Sequence, residues 1–263
     1  MTSNDDRPGV TGGVPVKSAA RVLDLLEDIA AHGPATRAEL SLRMGIPKSS
    51  MHAVLRTMTE RGWLELDHAR GAYRLGFGSM AVSAAHVEDD PVIARAAPIL
   101  DRLAAATGET VHLGRLHGSH VVFLDKRESA RPVPMASAVG RRMPAWSTSL
   151  GRAVLATRPV AVREALVPGA ITRMTQHTRT DRAAVLAAIE QASVRGYAVE
   201  SQEVCPGIRC FAVAVGALVP AGAPVHAVSV AVPLARLDRS REARVVRSLL
   251  ELGPRAAGRA PSV

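Results

Sequence analysis

The stretch TRAELSLRMGIPKSSMHAVLRTMTERGWLEL, residues 36–66, decides the fold of the N-terminal part of the chain. Thr36 and Glu39 form a capping box, in which each side chain binds the backbone amide of the other residue, and this predicts the start of a helix that ends at Gly45. A second helix is predicted to begin at Pro47, because proline suits the first helical position and apolar residues then recur at helical spacing. Two helices joined by a tight turn are typical of a helix-turn-helix.

The segments on either side of this stretch complete a small domain. An amphipathic helix is predicted over residues 18–31, and two short alternating strands, 63–66 and 73–75, are predicted to form a hairpin after the third helix. A hairpin in this position is the wing of a winged helix-turn-helix. We therefore predict a mainly α-helical winged helix-turn-helix domain over residues 16–76, followed by a linker helix within residues 77–90.

The third predicted helix has two different faces. Met51, Leu55 and Met58 lie on an apolar stripe, and the opposite face carries small or hydrogen-bonding residues with one long cation. Such a surface fits the major groove and offers donors to base edges, while cations near a helix start and on a hairpin suit phosphates. The alternative is an ordinary solvated face of a helical bundle, but residues 36–61 hold five basic residues against two acidic ones. The predicted DNA-binding residues are Arg37, Lys48, Ser49, Ser50, His52, Arg56, Arg70 and Arg74.

Residues 91–252 alternate helices with apolar strands, which predicts an α+β domain with an antiparallel sheet. Residues 210–235 contain no charged side chain and are long enough to cross a membrane. However, Pro220 and Pro224 would interrupt a helix there, so we predict two buried strands joined by a turn. The Gly/Pro-containing ends, residues 1–15 and 253–263, are predicted to be a disordered N-terminus and a flexible tail.

Composition indicates the class of partner. The 263 residues include 33 basic and 24 acidic ones, for a net charge of +9, and this excess favours anionic partners such as nucleic acid. Two cysteines exclude a disulfide scaffold and suit a reducing cytosol. The first fifteen residues lack the apolar segment of a signal peptide, so we expect a cytoplasmic protein with no membrane partner.

Several stretches, taken in order, resemble the IclR-type bacterial transcriptional regulators. The resemblance implies a repressor or activator that binds operator DNA as a dimer, often assembled to a tetramer. It further implies a C-terminal effector-binding domain related to GAF and PAS domains, which binds a small organic acid or an aromatic molecule, and a linker helix that connects the two functions. The stretches are VKSAARVLDLLEDIAAHG, GIPKSSMHAVLRTMTERGWLE, GAYRLG, LDRLAAATGETVHLGRLHGSHVVFLDKRES, VGRRMPAWSTSLGRAVLA, RGYAVESQEVCPGIRCFAVAV and AVSVAVP.

The resemblance also implies the residues of the effector site. Family members commonly have a second small polar residue where Ala231 stands, His where Trp146 stands and Asp where Glu200 stands. These departures favour an aromatic or larger apolar effector. For each hydroxyl residue the alternative is a helix cap, and for the cysteine a place in the core. The implied effector-binding residues are Trp146, Ser147, Thr148, Ser149, Glu200, Cys210 and Ser229.

Other function classes fit less well. His112, His117 and His120 flank a predicted hairpin turn and do not match a zinc pattern, so we predict no metal site and no cofactor. Cys210 with a histidine would be a nucleophile pair, but the sequence lacks the common catalytic motifs, and we predict no enzyme activity. A regulator that needs no effector and keeps a vestigial pocket stays open. Residues 91–158 hold ten basic residues against four acidic ones, an excess that would attract an anionic effector or additional DNA.

Overall fold

A computed structural model of the protein describes residues 16–131, 137–215 and 226–252. The chain divides into two compact units between Asp90 and Pro91. The ends predicted to be disordered or flexible, residues 1–15 and 253–263, lie outside the described residues, and so does the turn predicted within residues 216–225.

The N-terminal unit contains the predicted helices and hairpin, with one strand more than the sequence predicts. The additional strand, β1, is only two residues long, too short for an alternating pattern, and it pairs antiparallel with β3. The sheet order is β1-β3-β2. The elements are α1 (Lys17–His32), β1 (Ala35–Thr36), α2 (Arg37–Met44), α3 (Lys48–Glu60), β2 (Leu64–Asp67), β3 (Ala72–Leu75) and α4 (Phe77–Glu88).

Local signals in the sequence fix the first three helices. The capping box is present as predicted, since the Thr36 side chain accepts from the Glu39 amide and the Glu39 carboxylate accepts from the Thr36 amide. Gly45 ends α2 in the left-handed conformation, with φ of 62°. The predicted stripe of α3 is buried against α1 and α2, so the opposite face of α3 is left to solvent.

The C-terminal unit is an α+β domain, as predicted. Its six strands form one antiparallel sheet in the order β6-β5-β4-β9-β8-β7. The uncharged run contributes β8 and β9, which confirms two buried strands there; β6 and α7 are elements that the sequence analysis did not predict. The elements are α5 (Pro91–Thr107), β4 (Thr110–His117), β5 (His120–Arg127), β6 (Arg142–Pro144), α6 (Ser149–Ala156), α7 (Val160–Leu166), α8 (Arg182–Arg195), β7 (Ala198–Ser201), β8 (Ile208–Val215), β9 (His226–Pro233) and α9 (Arg239–Leu252).

The two faces of this sheet carry side chains of different size. The face under α5 and α9 presents Val, Leu and Phe residues, among them Leu113, Phe211 and Val230. The face under α6 and α8 is built largely from small residues, such as Ala198, Ala212 and Ala227. The small-residue face is the one on which the implied effector-binding residues lie.

Helix α6 approaches its preceding segment through Gly151. A Cβ atom placed on Gly151 would lie 2.1 Å from the carbonyl oxygen of Ala145, a backbone atom that has no freedom to move aside. Ala145 begins the 3₁₀ turn Ala145–Ser147, so the glycine fixes this turn against the helix. Seven of the eight residues of α6 are buried.

We expect Gly151→Ala to lower the free energy of unfolding by about 3 kcal/mol or more, because the added methyl group overlaps backbone atoms. The measurement is urea unfolding followed by circular dichroism. Gly169→Ala is the matched control, since nothing lies within 4 Å of a Cβ atom at Gly169. Equal stability of the two variants would contradict the close approach.

Candidate functional site

The exposed face of α3 carries the predicted DNA-binding side chains. Ser49, His52 and Arg56 are exposed, while Met51, Leu55 and Met58 are buried, as the helical spacing predicts. Lys48 is exposed in the first turn of the helix, and Ser50 is half-buried. The arrangement presents donors and one long cation on a helix whose other side is held in the core.

A contact from α2 extends this face. Arg37 is exposed at the start of α2, and its guanidinium lies 3.4 Å from Nδ1 of His52 on α3. Arg56 lies 3.7 Å from Glu60, one turn further along the helix, with both side chains largely exposed. Exposed pairs of this kind contribute little, so Arg56 is available to another acceptor.

The two arginines of the wing differ in their partners. Arg74 donates through Nε and Nη2 to one oxygen of Glu65, at 3.1 and 2.7 Å, across the β2–β3 pair. Arg70 lies 4.0 Å from Asp67 and is mostly exposed. Arg74 is therefore engaged by a carboxylate, whereas Arg70 has only a distant one.

The implied effector-binding residues of the sheet lie in two cross-strand rows, because directly paired residues of antiparallel strands share a face. In one row, Glu200 pairs with Cys210, which pairs with Ala231. In the other, Ser229 pairs with Ala212 on β8 and with His112 on β4, and His112 pairs with Lys126 on β5. We call the three residues Lys126, His112 and Ser229 the polar row.

The four implied residues around the start of α6, residues 146–149, are all buried, and two hydroxyl groups among them have structural partners. The Thr148 hydroxyl accepts from the Gly151 amide as the N-cap of α6, and the Ser147 hydroxyl donates to the carbonyl of Pro144 at 2.8 Å. Trp146 lies in the same apolar cluster as Ala212. Trp146 thus places an indole ring near the small residues of the sheet, while Thr148 has the capping role weighed in the sequence analysis.

Glu200 is buried, and no residue that the structure describes forms a salt bridge with it. One carboxylate oxygen accepts from the backbone amides of Glu203 and Val204. Burial raises the pKa of Glu200 to about 7, against the opposing effect of these hydrogen bonds and of the Arg152 charge. Burial likewise raises the pKa of the Cys210 thiol well above its ordinary value, so Cys210 is a neutral group beside Glu200.

Arg152 corrects the expectation drawn from the positive charge of residues 91–158. Its side chain is buried and donates to both carboxylate oxygens of Glu203, each at 2.7 Å. Arg127 is also engaged, with Asp101 and Asp125. Arg152 is therefore unavailable to DNA, because the excess counted along the sequence included an internal ion pair whose acid lies 51 residues away.

Two residues of the polar row, His112 and Lys126, were not assigned to the effector site from the sequence. His112 was considered only as a metal ligand. Alternation along β5 gives no signal for Lys126, because a register shift between Leu113 and Gly114 moves Lys126 onto the face of His112. The pairing of β4 with β9, which brings His112 beside Ser229, joins residues more than a hundred positions apart and has no local signature.

Comparison with known proteins accounts for both units. Residues 18–68 match the model of the IclR helix-turn-helix domain, and residues 84–257 match that of the bacterial transcriptional regulator IclR C-terminal domain. The chain belongs to the IclR family of bacterial transcriptional regulators. It is a DNA-binding transcriptional regulator, and the family resemblance of the sequence is confirmed.

Relatives of this IclR-family protein cover nearly the whole chain. The HTH-type transcriptional regulator BhcR of Paracoccus denitrificans is 32% identical over 242 residues, 92% of this chain and 85% of that protein. An IclR regulator structure from Alicyclobacillus acidocaldarius matches with a TM-score of 0.78 at 24% identity, over 91% of this chain and 97% of that one. An IclR homolog from Microbacterium hydrocarbonoxydans, complexed with 4-hydroxybenzoate, matches with a TM-score of 0.68 at 24% identity, over 90% and 97%.

Two further observations concern the described part of this IclR-family chain. Across residues 16–131, 137–215 and 226–252, no helix has the length and apolar character needed to span a membrane. Within those same ranges, no three His, Cys, Asp or Glu side chains come together as a metal site.

The buried carboxyl group of Glu200 makes the stability of this IclR-family protein depend on pH. Its pKa of about 7 in the folded protein exceeds the ordinary value of 4.5, so the folded state binds more protons between these values. The free energy of unfolding should therefore fall as pH rises from about 5 through 7, by up to about 3 kcal/mol from this group. Glu200→Gln should remove that component, which urea unfolding at several pH values would measure.

The control for this experiment is Glu164→Gln, since Glu164 is exposed on α7. Its unfolding free energy should follow that of the wild type at each pH. If the Glu200→Gln profile also ran parallel to the wild type between pH 5 and 8, the buried carboxylate would carry no penalty and the assignment would be wrong.

Proposed function

We propose that this IclR-family regulator binds a specific operator through α3 and the wing, and that a small-molecule effector bound in the C-terminal unit controls this binding. The observation that carries the DNA-reading role is the contrast between the two sides of α3. One side is buried in the core of the N-terminal unit, and the other exposes Ser49, His52 and Arg56.

The roles of the individual groups follow from their chemistry. Arg56 presents a planar fork of donors from the middle of α3, which suits the paired acceptors of a guanine in the major groove. His52, Ser49 and the neighbouring Arg37 add hydrogen-bonding groups to the same surface. Lys48 and Ser50, near the helix start, and Arg70 and Arg74, on the wing, hold the phosphate backbone and give no sequence information.

The test of this function is binding of the purified protein to its own upstream intergenic DNA and to a random duplex at two salt concentrations. Preferential binding that survives about 150 mM salt would establish sequence-specific recognition. Equal binding to both duplexes, repeated with a pool of genomic DNA, would contradict it.

Arg56→Ala should weaken binding to the specific duplex roughly 10- to 100-fold, because one bidentate base contact is lost. Binding to random DNA should change far less, since that binding depends on phosphates. Arg21→Ala, on α1, is the matched control and should leave the ratio of specific to random binding unchanged. If Arg56→Ala lowered both affinities equally, Arg56 would be a phosphate contact.

The effector proposal has its support in the face of the sheet under α6. Ala212, Ala231 and Cys210 are small residues, and Trp146 is buried in the adjoining apolar cluster. The Microbacterium homolog of the same fold is complexed with 4-hydroxybenzoate, an aromatic acid. An aromatic or larger organic molecule at this face is the effector class that we propose.

The second candidate is a regulator that needs no effector. Thr148 supports this candidate, because its hydroxyl already caps α6 and this structural role accounts for one of the seven implied effector-binding residues. A thermal-shift screen of organic acids decides between the two, because an effector at a hundred times its dissociation constant should stabilise the protein by roughly 2.7 kcal/mol.

Dimerisation is supported by α4. None of the residues of this helix is buried, although it carries large apolar side chains such as Phe77, which is 73% exposed, and Met80, which is 63% exposed. A helix with so much apolar surface is normally covered, and a twofold dimer would present two copies of α3 to two operator half-sites. We propose a second copy of α4 as the covering partner; the tetramer implied by the resemblance stays a prediction.

Met80→Glu should shift the protein toward monomer, because it places a charge in the proposed apolar contact. Sedimentation velocity at micromolar concentration measures the change. Val194→Glu is the matched control, since Val194 is an exposed apolar residue on α8, in the other unit. A Met80→Glu protein that sediments like the wild type would rule out α4 as the dimer contact.

A further inference from the structure

The exposed face of α3 carries a hydrogen bond that decides which nitrogen of a histidine holds its proton. Nη1 of Arg37, at the start of α2, lies 3.4 Å from Nδ1 of His52, in the second turn of α3. A guanidinium has only donors, so Arg37 donates and Nδ1 of His52 accepts. The accepting nitrogen has no proton, so the proton of the neutral imidazole is on Nε2. His52 is exposed and therefore offers this Nε2–H group as a donor to DNA.

Both side chains project from backbone that the fold holds in place. Arg37 follows Thr36, whose capping box with Glu39 fixes the first turn of α2. His52 follows Met51, whose side chain is fully buried in the core of the N-terminal unit. The contact therefore joins two anchored helices and does not depend on the conformation of a loop. A recognition group held in this way has less freedom to lose when it binds.

The strength of this hydrogen bond depends on whether water reaches it. Arg37 and His52 are both exposed, so the contact contributes little to the stability of the free protein. DNA that covers this face of α3 excludes water, and a hydrogen bond from a charged donor is stronger in the lower local dielectric. The contact therefore acts mainly in the DNA complex, where the position of the imidazole proton decides what His52 can bind.

A single donor in the major groove distinguishes between base edges. The N7 atom of adenine and of guanine is an acceptor there and takes no part in base pairing, whereas cytosine presents a donor. His52 lies four residues before Arg56 on the same face, about 6 Å away along the helix axis. Base pairs follow one another at about 3.4 Å along the duplex. His52 should therefore lie over a base pair one or two steps from the pair that Arg56 reads.

We propose that Arg37 is a positioning residue, which holds His52 as a donor through Nε2, and that His52 thereby recognises N7 of one purine in each operator half-site. The inference rests on the proposed function and adds a second specific base position to the guanine assigned to Arg56. At that position the donor distinguishes a purine from a pyrimidine. Arg37 thus contributes to sequence recognition through His52.

The experiment uses the full chain and the shortest duplex that keeps the specific binding found in the test of the proposed function. Each purine is replaced in turn by its 7-deaza analogue, which exchanges N7 for a C–H group and leaves base pairing intact. One such replacement, one or two base pairs from the position that depends on Arg56, should weaken binding by about fivefold or more. In His52→Ala the same replacement should change the affinity by less than about twofold, because the donor is already absent.

Arg37→Met separates the positioning role from a phosphate contact. Loss of a phosphate contact weakens binding to every duplex alike and leaves the effect of the 7-deaza replacement unchanged. Loss of positioning should lower this effect to less than about half, because the imidazole is then free to turn and to move its proton to Nδ1. Arg37→Lys keeps a donor for Nδ1 and should restore most of the effect. Arg61→Met is the matched control for loss of one positive charge, since Arg61 is exposed at the end of α3, and it should keep the full effect.

Two outcomes would overturn the inference and leave a sequence-specific regulator. If no 7-deaza effect disappeared in His52→Ala, His52 would not read a purine N7. If Arg37→Met kept the full effect, as Arg61→Met should, Arg37 would be a phosphate contact and no positioning residue. A failure of the proposed function is distinct from both, since neither the upstream DNA nor the genomic pool would then contain a specifically bound duplex, and the inference would fail with it.

Discussion

The buried ion pair between Arg152 and Glu203 holds together the part of the C-terminal unit in which we propose the effector site. The guanidinium of Arg152 donates to both oxygens of Glu203, to the carbonyl of Trp146 and to the carbonyl of Val199. One side chain on α6 thereby fixes the turn before the helix, the strand β7 and the loop after it. Removal of one partner from a buried pair usually costs several kcal/mol, because the other charge is left in the interior. The loop that precedes α8 depends on the same carboxylate, since the Arg179 amide also donates to Glu203.

The two faces of the sheet are covered in different ways. Under α5 and α9 the strands present large residues, and the helices are held by ordinary apolar packing. Under α6 the strands present Ala, Cys and Ser, which contribute less apolar area, and the helix is held in addition by the ion pair and by the close approach at Gly151. A face that does not rely on large side chains for its stability has room for polar groups such as His112 and Ser229. The small residues under α6 thus leave space for polar groups on this face, and α6 is held there by the ion pair and by the close approach at Gly151.

The sequence predicted elements with local signals and failed where the deciding partner is distant. Helix α3 was predicted with the correct buried stripe, because its apolar residues recur at helical spacing. Strand β6 was missed because three residues next to a proline give no alternating pattern. Arg152 was counted as surface charge, since nothing within α6 distinguishes a buried arginine from an exposed one. The implied effector residues came from resemblance alone, and only the register of β4 against β9 reveals that His112 lies beside Ser229.

Control of transcription by an effector requires that the effector bind two states of the protein with different affinity. The N-terminal unit indicates what can differ between those states. The apolar face of α3 is packed in the core of the N-terminal unit. Apart from the Arg74–Glu65 pair, the residues proposed to contact DNA have little competition from carboxylates of the protein itself. Helix α4 exposes Phe77 and Met80, and through the dimer contact that we propose it would set the placement of one copy of the reading surface relative to another. Two half-sites on DNA demand one spacing, set by the helical repeat. A coupling free energy of about 1 to 3 kcal/mol between effector and DNA would then be enough for regulation, and altering the spacing of two unchanged domains would provide it.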